Sequence, residues 1–418
     1  MGIFKTNLKF SWDYLKTFIK WIFVAAVVGG IGGCIGSVFH IAIDYVTELR
    51  TEHSWILYLL PVGGLVIAAI YGIFKKKGKL DTNRVLEAVA TEEKVPLVMA
   101  PLIFVSTVLT HLLGGSAGRE GAALQLGGSI GYNVGKVFRL NQNDMHIIVM
   151  AGMSAVFAAL FGTPLTAAVF ALEVVCVGVM HYAALVPCVI SAMVAFGIAG
   201  LFGLSPVHFD GVVLANIDAL LLGKIVVIAV LCALVSILFC TAIHYCEHSM
   251  EKLFKNKYLR AFVGAVVIVL LTLLVGTRDY NGAGMDVITR AIGGAVNWEA
   301  FLLKIVFTAI TIAAGFKGGE IVPAFFIGST FGCLAGSLLG MDAGFAAAVG
   351  FVAVFCGVVN CPLASTMLAL EVFGSENILI FALVCAISYM MSGSFSLYKS
   401  QKIVYSKLDA HYIDIDIK

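Results

Sequence analysis

The chain has 418 residues, 60% of them hydrophobic and only 12% charged, with a net charge of +2 and a mean hydropathy of +1.00. So few charges cannot cover a soluble protein of this size, and so small a net charge excludes the electrostatic footprint of a nucleic-acid binder. The class that remains is a polytopic membrane protein, and the 44 glycines fit it, because small residues let apolar helices approach closely in lipid.

Residues 1–20 place Lys5, Lys9, Lys16 and Lys20 among Phe4, Phe10 and Trp12, the pattern of an amphipathic helix on a membrane surface rather than a cleavable signal. Apolar segments follow at 21–43, 55–74, 96–113, 147–180, 182–202, 220–244, 261–275, 301–316, 343–372 and 378–391. Each is long enough, or nearly so, to cross a hydrocarbon core of about 30 Å. The basic run Lys75-Lys76-Lys77-Gly78-Lys79 lies on the same side of the first two spans as the N-terminal lysines, and the positive-inside rule makes that side cytoplasmic. The tail, with Lys399, Lys402 and Lys407, is assigned to the same side. The ten cysteines show no CxxC pair and no Cys/His metal spacing, so they read as buried thiols, and neither metal nor cofactor is expected.

Two blocks recur. Residues 164–174, PLTAAVFALEV, match 362–372, PLASTMLALEV, at a spacing of 198; residues 118–129 match 318–329 at a spacing of 200. Repeated halves with interrupted helices are a transporter signature. The expected architecture is all-α: a first membrane repeat at 21–200, a second at 201–395, and a C-terminal helix and tail at 396–418 without regulatory domains, the repeats being inverted. Glu173 and Glu371, at equivalent repeat positions, are assigned structural work at helix ends, with a role in serving protons as the alternative, and Asp279-Tyr280-Asn281-Gly282 reads as a structural loop.

The chemistry concentrates at Gly114-Gly115-Ser116-Ala117-Gly118-Arg119-Glu120-Gly121-Ala122, a glycine-rich break between apolar runs. A helix starting at Glu120 aims unclaimed N–H groups and the positive end of its dipole at the gap, which makes an anion site. The Glu120 carboxylate can occupy that site itself; an anion must displace it, and protonation weakens its hold. An ionisable residue at membrane depth is a functional candidate, so this is a physical scheme for coupling anion to proton.

These residues carry a resemblance to the CLC family of anion channels and anion/proton antiporters. The family's GREGP appears as Gly118-Arg119-Glu120-Gly121-Ala122, with Ala122 in place of its proline; GGIFAP appears as Gly318-Gly319-Glu320-Ile321-Val322-Pro323; its late tyrosine appears as Tyr398. The resemblance implies a homodimer in lipid, one anion pathway per subunit, halide and proton as substrates, and Glu120 as outer gate and proton acceptor. It also implies anion contacts at Gly118, Arg119, Gly121, Ala122, Gly319, Ile321, Val322 and Tyr398, and a plasma (inner) membrane location with both termini cytoplasmic.

Glu320 in the second motif is similar to the fluoride/proton antiporter branch. So are the absence of a glutamate at Val174, where chloride/proton exchangers carry their inner proton group, and the absence of GSGIP, whose place falls near Asp81-Thr82-Asn83-Arg84. With no acid at Val174, Glu320 becomes the candidate second proton group. Against that branch, Ala122 and Val322 stand where it has threonine. The resemblance therefore implies a CLC-type halide transporter, with fluoride/proton antiport preferred and a chloride/proton exchanger or chloride channel of the same family as the alternative. A remote alternative of another class is an intramembrane serine hydrolase, since Gly114-Gly115-Ser116-Ala117-Gly118 fits GxSxG with His111 nearby.

Overall fold

In a computed structural model, residues 2–74, 80–91, 93–209, 212, 218–409 and 411–417 are described, residues 2–11 by their backbone alone. The run Lys75-Lys76-Lys77-Gly78-Lys79 and the side chains of Phe4, Lys5, Lys9 and Phe10 lie outside the described residues.

The first half comprises α1 (Gly2–Glu52), α2 (Leu60–Ile73), α3 (Thr82–Ala90), α4 (Met99–Leu113), α5 (Glu120–Val137), α6 (Gln142–Phe161), α7 (Pro164–Glu173) and α8 (Leu185–Leu201). The second comprises α9 (Ala219–Leu253), α10 (Lys257–Val275), α11 (Met285–Ile292), α12 (Ala300–Ala313), α13 (Ile321–Leu338), α14 (Ala343–Val359), α15 (Pro362–Phe373) and α16 (Ile378–Met391). Seven helical stretches among the described residues are long and apolar enough to cross a membrane, and shorter apolar helices fill the space between them.

Two terminal expectations are corrected. α1 runs unbroken for 51 residues from Gly2 to Glu52, roughly 75 Å at the α-helical rise, so residues 2–20 are the first part of this helix and not a separate one. The expected C-terminal helix is instead two strands, β2 (Lys402–Tyr405) and β3 (Tyr412–Asp416); β2 pairs in parallel with β1 (Cys176–Val177) and antiparallel with β3. Ile403-Val404-Tyr405 is a β-branched and aromatic run, and Tyr412-Ile413-Asp414-Ile415-Asp416 carries isoleucine at every second position, the compositions that favour strands.

The long apolar runs break where the backbone demands it. Residues 147–180 divide at Gly162, which ends α6 at φ +69°, with Pro164 opening α7. Residues 343–372 divide at Asn360, which ends α14 at φ +58°, with Pro362 opening α15. Thiols behave largely as expected: all ten cysteines are free and most are buried, though Cys34 is exposed.

Glycine sets the closest approaches. A Cβ at Gly127 would stand 2.2 Å from the Gly152 carbonyl oxygen, and one at Gly328 would stand 2.2 Å from that of Gly350. These contacts fix the repeat register: α5 corresponds to α13 at a spacing of 201, while α6 corresponds to α14 at 198. The expected spacing of 200 for the first block is therefore one short. Arg119, not Glu120, is the counterpart of Glu320, and each of that pair is the residue just before its helix.

Reciprocal contacts relate the halves by a local two-fold. The Glu173 carboxylate accepts from Leu363 N at 3.2 Å and Ala364 N at 2.8 Å, at the start of α15. The Glu371 carboxylate accepts from Leu165 N at 2.9 Å and Thr166 N at 2.8 Å, at the start of α7. Each acid thus supplies the orphan N–H groups of the other half's helix, the structural work assigned to both.

Candidate functional site: two helix starts facing a buried carboxylate

The starts of α5 and α13 meet. Gly118 N donates to Gly319 O at 2.6 Å and Gly319 N to Gly118 O at 2.7 Å, an antiparallel bridge across the two-fold. Only glycine permits it, since a Cβ on Gly319 would lie 2.5 Å from Gly121 N. The N–H groups of Gly118 and Gly319 are consumed in this bridge, so these two residues hold the helix starts together and do not present their N–H groups to the gap. The first bonds closing each helix run from Ala123 N to Arg119 O and from Ala324 N to Glu320 O. The N–H groups ahead of them, at Glu120, Gly121, Ala122, Ile321 and Val322, belong to the orphan set that makes helix N-termini attractive to anions.

Glu120, fully buried, turns its carboxylate into that gap. Its Oε2 accepts from Arg119 N at 2.9 Å and from Val322 N at 3.3 Å, one contact from each half. Its Oε1 is buried without a hydrogen-bond partner. The Arg119 guanidinium points elsewhere: it donates to Asp44 at 3.0 Å and contacts His40 at 3.3 Å on α1. There it lines a cavity of about 510 Å³ with Asp44, Arg50, His111, Arg278 and Val322. Arg119 and Val322, whose N–H groups hold the Glu120 carboxylate, both line this cavity.

Tyr398 is 2% exposed, its hydroxyl buried and without a partner, within electrostatic reach of both Glu320 and Glu120. Its segment is tightly held. Leu397 N donates to Val358 O at 3.0 Å, and the buried Gln401 amide donates to Val174 O at 2.8 Å and Val359 O at 3.0 Å, the ends of α7 and α14. Glu320 is partly exposed and makes no side-chain cap on α13. Its carboxylate lies 3.4 Å from where a Gly121 Cβ would be, across the helix crossing from Glu120.

Asn83 and Thr82 lie in the stretch where the sequence placed the missing GSGIP, and the structure shows what each of them does there. Asp81 caps α3 by accepting from Arg84 N at 3.1 Å. Asn83 Oδ1 then accepts from Ser400 N at 3.0 Å and Ser400 Oγ at 3.1 Å, two residues beyond Tyr398. Thr82 accepts from Gln125 Nε2 at 2.9 Å and reaches Gly121 O at 3.4 Å. The sequence signal was a helix-start pattern, Asp-Thr-Asn, at the place of the missing GSGIP.

The hydrolase alternative finds no constellation. Ser116 Oγ is bonded to Thr308 Oγ1 at 3.0 Å, while His111 Nδ1 is bonded to Thr107 O at 2.9 Å. The strand-to-helix turn that such an elbow requires is here a helix end, since Gly114 terminates α4 at φ +85°. The loop at 279–282 is structural as expected: Asn281 Nδ2 donates to Gly114 O at 2.9 Å and the buried Lys304 to Gly282 O at 2.7 Å.

Comparison with known proteins agrees with this geometry. A family model described as voltage gated chloride channel matches residues 63–393. A chloride/fluoride channel protein of Pseudomonas syringae pv. tomato is 35% identical over 402 residues, 94% of this chain and 89% of that protein. An H(+)/Cl(-) exchange transporter of Vibrio campbellii is 24% identical over 385 residues, 84% of this chain and 81% of that protein. The crystal structure of a CLC-type fluoride/proton antiporter matches with a TM-score of 0.88 at 31% identity, covering 92% of this chain and 98% of that one. A slow cyanobacterial Cl-/H+ antiporter shares the fold, with a TM-score of 0.76 at 18% identity over 89% of this chain and 94% of its own. With two repeats meeting at Glu120 in a multi-pass helical membrane fold, the chain belongs to the voltage-gated chloride channel family, the CLC halide transporters.

Proposed function

We propose that this protein is a fluoride/proton antiporter, working as a homodimer in the plasma membrane with both termini cytoplasmic. The observation that carries the reading is the placement of the Glu120 carboxylate between two helix starts, one oxygen on N–H groups from both halves and the other unpartnered. An anion and this carboxylate compete for the same donors. When Glu120 takes a proton, its charge no longer holds it there and the anion takes its place.

The anion contacts are the N–H groups of Glu120, Gly121, Ala122, Ile321 and Val322, the Tyr398 hydroxyl, and the Asn83 amide where the family has a serine. Gly118 and Gly319 set the spacing between the helix starts, and Arg119 contributes its N–H and the positive lining of the outer cavity. Glu320 is the second proton group, supported by its position across the crossing from Glu120 and by the apolar Val174 at the end of α7.

Fluoride is favoured by similarity to the Pseudomonas chloride/fluoride channel protein and to the solved fluoride/proton antiporter. The second reading, chloride/proton exchange, is favoured by Ala122 and Val322, which bring no hydroxyl to the gap. Flux from liposomes holding the purified protein separates the two. The expected result is fluoride efflux at least about tenfold faster than chloride efflux, with proton uptake in step. Equal or faster chloride efflux would replace this reading by the second.

A further inference from the structure

At the far end of α2 from the outer cavity lies a smaller cavity of about 120 Å³, between α2, α10 and the turn after α12. Three cationic side chains line it, Lys257, Arg260 and Lys317, together with Tyr71, and no acid does. Lys317 sits 4.7 Å over the Tyr71 ring. Lys257 Nζ donates to Ala68 O at 2.9 Å, which leaves two of its three donors. Arg260 reaches outward to the mostly exposed Glu251 at 3.1 Å, but its Nε–H is buried without an acceptor; the Tyr71 hydroxyl is directed toward Ser106 on α4. Of the acids near Lys317 outside the lining, Asp81 caps α3 and Glu247 pairs with Lys399 at 2.5 Å, while Glu320, three residues on, lies at the helix crossing.

A buried donor without an acceptor is rare, and one on a side chain that lines a cavity with two ammonium groups and no acid points to an acceptor that bears negative charge. The shape of the donor set narrows its chemistry. A halide is a single centre, whereas the oxygens of a phosphate group accept from several directions at once and suit a mixed Lys and Arg cradle. The volume holds several water-sized groups, enough for a phosphate group. The run Lys75-Lys76-Lys77-Gly78-Lys79 directly follows α2 in sequence, and basic clusters beside a membrane span draw anionic headgroups. We propose that this cavity binds a phosphate group, supplied by an anionic lipid headgroup or by free phosphate. Lys317 immediately precedes Gly318-Gly319-Glu320, so the occupant would lie at the root of the segment that carries Glu320.

The test is binding, which does not depend on which ion is transported. Purified full-length protein in neutral detergent is titrated with inorganic phosphate and, separately, with phosphatidylglycerol, against sodium gluconate at equal ionic strength. The thermal unfolding midpoint is read in each case. A saturable rise is expected with at least one phosphate source, and Lys317→Gln and Arg260→Gln should each weaken it about tenfold, the loss of one charge-assisted contact. Arg260→Lys keeps the charge but removes the Nε–H and should also weaken it, which keeps the test decisive should a neutral variant not fold. A rise with phosphatidylglycerol alone assigns the lipid source, and a rise with inorganic phosphate assigns the free ion. No saturable rise with either probe, or unchanged affinity in all three variants, overturns the proposal.

Discussion

At the scale of single residues, the two acids at the helix crossing differ in a way that mutation can read. Glu120 is buried and bonded to N–H groups of both halves, whereas Glu320 precedes α13 without capping it through its side chain. Glu320→Gln should therefore cost little stability, below about 1 kcal/mol, because no cap bond is lost and only a charge near the helix dipole is removed. Coupled proton flux should nevertheless collapse, measured as the pH change that accompanies anion flux in liposomes. An unchanged proton-to-anion ratio would remove Glu320 from the mechanism. Tyr398→Phe leaves packing intact and removes one donor from the pathway; it should lower anion affinity about tenfold, read by isothermal titration of the purified protein. Motif reading found Glu120, Glu320 and Tyr398 because each sits in a distinctive run of residues. It reached the stretch Asp81-Thr82-Asn83-Arg84 but could not single out Asn83 within it, because the partner that holds Asn83, Ser400, lies more than 300 residues away.

At the scale of elements, the swapped caps make a symmetric prediction. Glu173→Gln and Glu371→Gln each leave an amide accepting where a carboxylate accepted two N–H groups from the other half. Each should lower unfolding stability by about 1 kcal/mol, and by similar amounts, as followed by thermal unfolding in detergent. A loss confined to one of them would argue against equivalent roles. Gly127→Leu should be worse, about 1–3 kcal/mol or more, since the new side chain starts 2.2 Å from the Gly152 carbonyl oxygen. The breaks at Gly162 and Asn360 were legible because a proline follows each by two residues. The 201-residue register between α5 and α13 was not, because both blocks are rich in glycine and a one-residue slip still aligns most of them. The C-terminal strands were hidden by their length and by a first partner, β1, of only two residues.

At the scale of the whole molecule, hydrophobic content and the paired PL…ALEV blocks pointed to the class and to two repeated halves, and the structure adds the local two-fold by which the halves touch. Assembly is a further expectation: single-molecule photobleaching of labelled protein at low density in lipid should show two steps, and a uniform single step would contradict a dimer. The central claim is that the Glu120 carboxylate and the transported anion compete for one gap between α5 and α13, so that a proton on Glu120 admits the anion. Its most direct test is proton pumping driven by a fluoride gradient in liposomes, wild type against Glu120→Gln. The expected result is uphill proton movement with the wild type and none with Glu120→Gln, whose amide cannot titrate, in a variant that remains folded. Proton pumping of undiminished size in Glu120→Gln would contradict the claim.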